Sequence, residues 1–109
     1  MLGKLLGSIN KERVLVYLVA RRRGYPREIA RFFQTSLYPV QAALDGLEAA
    51  GVLVSRSVGK TREYEFNPLY PGLNELRAFV ERALSLYPTS RRHELRIFRA
   101  RPRRKGKPL

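Results

Sequence analysis

The chain has 109 residues, no cysteine and a formal charge of +13, a length that suits one domain around one modest core. The lack of cysteine excludes disulfides, thiolate metal sites and cysteine nucleophiles, and a hydrophobic content of 44% excludes a wholly disordered chain. The charge implies attraction to polyanions, whether DNA, RNA or acidic membrane.

"MLGKLLG" opens the chain as a short apolar lead-in. Ser8 or Asn10 can cap a first helix, because their side chains accept a free backbone N–H. Val14, Leu15, Leu18 and Val19 then form a buried stripe at helical spacing. The apolar run from Val14 to Ala20 is too short to span a bilayer. No signal peptide is legible, so the expected location is cytoplasmic, with no membrane association. "RRRG" ends the helix, its arginines against the carboxyl end of the dipole and Gly24 as the expected stop.

"YPREIARFF" predicts a second helix, with Pro26 at the first helical position. Ile29, Ala30 and Phe33 share its inner face. After the polar break "QTS", Ser36 caps a third helix that runs to about Ala50 and ends at Gly51. Leu37, Val40, Leu44 and Leu47 form its buried stripe, while Tyr38, Ala42, Asp45 and Ala49 lie opposite and Gln41 lies on the flank. Val52 to Val58 predicts a strand, "GKT" a turn, and "REYEF" a second strand of a hairpin. Arg62, Tyr64 and Phe66 alternate against Glu63 and Glu65.

Gly72 to about Tyr87 predicts a fourth helix, stopped by Pro88. Residues 1–88 thus form one domain and residues 89–109 an arginine-rich tail. From Arg91 to Lys107 the tail carries Arg91, Arg92, Arg96, Arg99, Arg101, Arg103, Arg104, Lys105 and Lys107 against Glu94 alone. "HELRIFRARP" allows a strand with His93, Leu95 and Ile97 on one face. A flexible basic arm is the preferred reading, and "RPRRKGKPL" reads as flexible.

The helices "REIARFF" and "SLYPVQAALDGL", followed by "LEAAGVLVSRSVGKTREYEFNP", resemble the winged helix-turn-helix regulators of bacteria and archaea. The resemblance covers roughly Ser8 to Tyr87. It implies a mainly α fold with a small β-hairpin wing. Ala30 matches the tight helix–helix contact, and Val40 the core residue of the recognition helix. Gln34 departs from the pattern, standing where the family's turn commonly has glycine. "LYPGLNELRAFVERAL" is similar to the closing helix of a subgroup, some encoded beside nucleotidyltransferase-type toxins.

The resemblance implies double-stranded DNA as partner, with the recognition helix in the major groove. That helix carries no lysine or arginine. Base reading does not require positive charge, however. Gln41 can pair with adenine, Ala42 and Tyr38 can pack on a thymine methyl, and Asp45 can accept from a cytosine amine. Thr35 and Ser36 can donate to phosphate at the helix amino end. Arg27, Arg31, Arg56, Lys60, Arg62 and the tail would then supply backbone affinity.

The stripe Leu73, Leu76, Phe79, Val80 and Leu84 implies a homodimer, unless it packs on the domain's own first helix. His93 is the sole histidine and has no cysteine, second histidine or carboxylate cluster at ligand spacing, so no metal or other cofactor is expected. No nucleophile–base pair or glycine-rich phosphate loop is legible, so no enzyme is expected. The expectation is a sequence-specific, homodimeric repressor or autoregulator. The alternatives are an antitoxin-like or scaffold module that binds a protein partner, and RNA binding through the tail.

Overall fold

The computed structural model describes residues 7–97. The apolar lead-in at residues 1–6 and the tail residues Arg99, Arg101, Arg103, Arg104 and Lys105 lie outside the described residues. Within them the order is α1 (Ile9–Arg21), β1 (Arg23–Gly24), α2 (Pro26–Phe32), α3 (Leu37–Ala49), β2 (Leu53–Val58), β3 (Thr61–Phe66), α4 (Leu73–Ser85) and α5 (Thr89–Ile97). The strands form one antiparallel sheet in the order β1-β3-β2. No helix among the described residues is long and apolar enough to cross a membrane.

Helix α1 is central, packed by α3, α4 and α5. Ser8 caps it, Oγ accepting from the amides of Asn10 and Lys11 at 3.2 and 3.3 Å, a contact worth about 1 kcal/mol. Every residue from Val14 to Leu18 is buried, so its apolar surface is wider than the one stripe expected. Its end also differs from expectation. Arg22, at φ 76°, closes the helix by donating its N–H to the Leu18 carbonyl. Gly24 instead belongs to β1, an element the sequence did not suggest. A Cβ at Gly24 would stand 2.8 Å from Cε1 of the buried Tyr17 ring, so close approach explains this glycine.

Helix α2 starts at Pro26, and the Glu28 carboxylate accepts from the Tyr25 amide at 3.3 Å. Its buried residues are Ile29, Ala30 and Phe32. Phe32 therefore takes the inward place expected of Phe33, which is half-buried. Phe32 meets Tyr17 edge-on at 6.1 Å, while Phe33 lies beneath the guanidinium of Arg13. In α3, Val40, Leu44 and Leu47 are buried together with Ala43, and Leu37 is only half-buried.

The β2–β3 hairpin pairs Leu53 with Phe66, Ser55 with Tyr64 and Val58 with Thr61. That leaves a two-residue loop, Gly59–Lys60, with Gly59 at φ 62°; glycine at the first loop position suits a type II′ turn. Leu53, Tyr64 and Phe66 face the core.

Helix α4 buries Val80, Ala83 and Leu84 in the same core. The expected flexible arm begins instead as helix α5, over Thr89–Ile97. Leu95 is fully buried, worth about 1.5–3 kcal/mol. Arginines supply the remaining anchors. Arg91 covers the Phe32 ring, and Arg21 Nη1 donates to the carbonyls of Leu95 and Arg96 at 3.3 and 2.9 Å. Arg21 thereby serves the carboxyl end of α5 in addition to its own helix.

Candidate nucleic-acid interface

The turn between α2 and α3 is short and tightly bonded. The Gln34 N–H donates to the Arg31 carbonyl at 3.1 Å, and the Thr35 N–H to the Ala30 carbonyl at 3.0 Å. Gln34 adopts φ 54°, the left-handed region that glycine enters without strain. Ala30 and Val40 are both buried, and the two helices pack on each other. Ser36 occupies the N-cap of α3, but its side chain makes no capping bond.

The outer face of α3 presents Tyr38, Ala42, Asp45 and Ala49 to solvent, and Tyr38 is 80% exposed. Gln41, on the flank, is held by two partners. Its Nε2 donates to Asp45 Oδ1 at 3.0 Å and to the Tyr64 hydroxyl at 3.1 Å. The Tyr64 hydroxyl in turn donates to Asp45 Oδ1 at 3.2 Å. An exposed Gln–Asp pair one helical turn apart is worth only about 0.2–0.5 kcal/mol alone. The phenol anchors the group, because leaving a buried hydroxyl unpaired costs about 1–3 kcal/mol. Burial pushes the Tyr64 phenol above its usual value of 10.0; the Gln41 hydrogen bond opposes the rise, and the Asp45 charge adds to it. The phenol is therefore protonated at neutral pH and has one hydrogen to give.

Between α2, α3 and the hairpin lies an open cleft of about 240 Å³, lined by Gln41, Tyr64, Leu37 and three cations, Arg27, Lys60 and Arg62. Strand pleating separates the hairpin arginines. Arg62 lies on the face that looks toward α3. Its Nε donates to Ser55 Oγ at 3.0 Å and its Nη1 to Ser57 Oγ at 3.3 Å, while Ser55 donates to Glu48. Arg56 lies on the opposite face, paired with Glu63 at 2.9 Å. Among the described residues Arg27, Arg31, Lys60 and Arg62 form no direct ion pair. Arg31 is exposed one turn beyond Arg27 on α2.

The other predicted site residues are dispersed. Arg91 is taken up by the Phe32 ring, the Phe32 carbonyl and Glu94. Arg92 donates to Thr89 Oγ1, and the Arg96 side chain is exposed at the end of α5. Of the five α4 residues expected at a dimer face, Val80 and Leu84 are buried in the chain's own core. Leu73 and Leu76 pack against that core, and Phe79 is exposed. Sequence reasoning placed Tyr64 in the core and missed its hydroxyl as the partner of Gln41. The alternation that put Tyr64 beside Arg62 on one strand face was the available signal.

In comparison with known proteins, no family model, no curated protein and no solved structure matches the chain.

Proposed function

We propose that this chain is a small winged helix-turn-helix protein that binds double-stranded DNA and regulates transcription. In this reading α3 is the recognition helix and the β2–β3 hairpin the wing. One observation carries it: Gln41 of α3 shares a single cleft with Arg27 of α2 and with Lys60 and Arg62 of the hairpin. Duplex DNA offers a base edge flanked by phosphates, and a reading helix without lysine or arginine, set between cations of α2 and of the hairpin, suits that target. Without lysine or arginine, α3 keeps its outer face for base edges, while backbone attraction comes from its neighbours. Duplex RNA fits less well, because its major groove is too narrow for side chains to read.

The proposal carries no dimer through the α4 stripe, since Val80 and Leu84 are committed to the core. A protein-partner role has one specific observation in its favour, the exposed Tyr38 ring beside Ala42.

The test is binding of the full chain and of Gln41→Ala to the DNA upstream of its own coding sequence and to a scrambled duplex, across a salt series. Preference for the native duplex that Gln41→Ala weakens by about 1–3 kcal/mol supports base reading. Equal binding to both duplexes by both proteins refutes it. If Tyr38→Ala abolishes capture of a protein partner and leaves DNA affinity alone, α3 is a protein-docking helix.

A further inference from the structure

The group Gln41–Asp45–Tyr64 determines what kind of base α3 can read, and this inference rests on the DNA-binding reading above. Asp45 Oδ1 accepts from Gln41 and from the Tyr64 hydroxyl, and only a nitrogen of the glutamine amide can donate to it. The Gln41 atom facing Asp45 Oδ1 is therefore the amide nitrogen and not the carbonyl oxygen. The phenol hydrogen goes to Asp45, so the phenol oxygen accepts from the same amide nitrogen. The Gln41 amide nitrogen is thereby held by two acceptors inside the protein. Among the described residues no donor reaches the Gln41 carbonyl oxygen.

Bidentate recognition of adenine needs both halves of a glutamine amide, nitrogen to N7 and oxygen from the N6 amine. Here the nitrogen is engaged by Asp45 and Tyr64 while the oxygen accepts from no described residue, and beside it stands the Asp45 carboxylate, also an acceptor. We propose that Tyr64 is a positioning residue that makes this part of α3 an acceptor-only surface, and that the base it selects is cytosine. Cytosine offers the N4 amine in the major groove with no acceptor on its own edge, the nearest being O6 of the paired guanine on the far side of that amine. Guanine offers N7 and O6 and thymine O4, which two acceptors repel. Adenine offers one donor but places N7 against them.

The experiment selects duplexes from a randomised pool with the full chain, with Tyr64→Phe and with Gln41→Glu, and then measures affinity with 7-deazaadenine in place of adenine. The wild type is expected to select cytosine at the position Gln41 contacts and to be indifferent to loss of N7. Tyr64→Phe frees an amide hydrogen, so its preference should move toward adenine by about tenfold, and 7-deazaadenine should reverse that gain. Gln41→Glu keeps acceptors only, so it should retain the cytosine preference while weakening binding to every duplex. It tests the idea even if Tyr64→Phe does not fold. The proposal is overturned if the wild type selects adenine and loses affinity without N7, or if Tyr64→Phe folds with its base preference unchanged. Absence of any sequence preference in the wild type overturns the DNA-reading function and this inference with it; preference that depends on N7 overturns the inference alone.

Discussion

The guanidinium of Arg91 lies over the Phe32 ring, 4.1 Å from its centroid, and its Nη2 donates to the Phe32 carbonyl at 3.0 Å. One side chain thus ties α5 to the carboxyl end of α2, using the ring face and the helix dipole together. A planar guanidinium can do both at once, whereas an ammonium cannot. Arg91→Ala should destabilise the fold by about 1–3 kcal/mol, and Arg91→Lys should recover little of it. Urea unfolding measures the loss. The salt dependence of the proposed DNA binding should hardly change, because Arg91 is spent within the domain.

Where the tail is cut decides what a truncation measures. Ending the chain at Pro88 would strip Leu95 from the core and uncover Phe32, so folding and binding would fall together. Ending it at Ile97 leaves α5 in place and removes six basic residues, Arg99 to Lys107. That shorter chain should keep its unfolding midpoint. Its log affinity for any duplex should depend less steeply on log salt, by about 0.9 for each phosphate that the removed residues neutralise. An unchanged slope would mean that residues beyond Ile97 touch no phosphate.

Gly24 tests close approach. The Cβ of Gly24→Ala would meet Tyr17 Cε1 at 2.8 Å and Ile29 Cδ1 at 3.3 Å. Tyr17 is 1% exposed, so its ring has nowhere to retreat. The expected cost is about 1–3 kcal/mol, read by thermal or urea unfolding. A helix-stop role would predict a mild effect, since Arg22 already supplies the positive φ.

Gln34 sits at φ 54° in the turn joining α2 to α3. Gln34→Gly relieves the steric cost of that conformation but gives the unfolded chain more freedom. The net expectation is a gain of up to about 1 kcal/mol, while a β-branched residue, Gln34→Val, should lose about 1–2 kcal/mol. Melting temperatures of the two variants decide it. A fall with glycine would mean that the Gln34 side chain does something the backbone conformation does not explain.

These cases also mark how far the sequence could be read. Helical spacing alone identified Val40, Leu44 and Leu47, and strand alternation placed Tyr64 and Phe66 inward, because each signal repeats within one element. What it could not supply was contact between elements. Strand β1 has only two residues, too few for any periodicity. Helix α5 was hidden because its anchors are Arg91 and Leu95 amid a charge run that reads as solvated. Arg56 and Arg62 looked equivalent as hairpin cations until the register put them on opposite faces. Gln41 was legible as a flank residue, but which half of its amide is committed depends on Tyr64, 23 positions away.

Alkaline pH should unfold the protein through two tyrosines, Tyr17 in the core and the half-buried Tyr87 packed against it. Tyr17 and Tyr87 are both pushed up to about 12. Burial is the main cause for each. Glu28 adds to the rise at Tyr17 while Arg21 opposes it. At Tyr87, whose hydroxyl donates to Glu12 Oε2 at 3.3 Å, the Glu12 carboxylate adds while Arg13 and Arg91 oppose. In the unfolded chain both phenols titrate near the ordinary value of about 10. Between these values the folded state holds more protons than the unfolded one, so stability falls as pH rises. The stabilisation is intact below about pH 10 and is lost toward pH 12, at up to about 1.4 kcal/mol per pH unit for each tyrosine. Unfolding followed by circular dichroism from pH 9 to 12 should track phenolate absorbance. Tyr17→Phe and Tyr87→Phe should each flatten that decline, and a decline equally steep in both variants would assign alkaline unfolding to other groups.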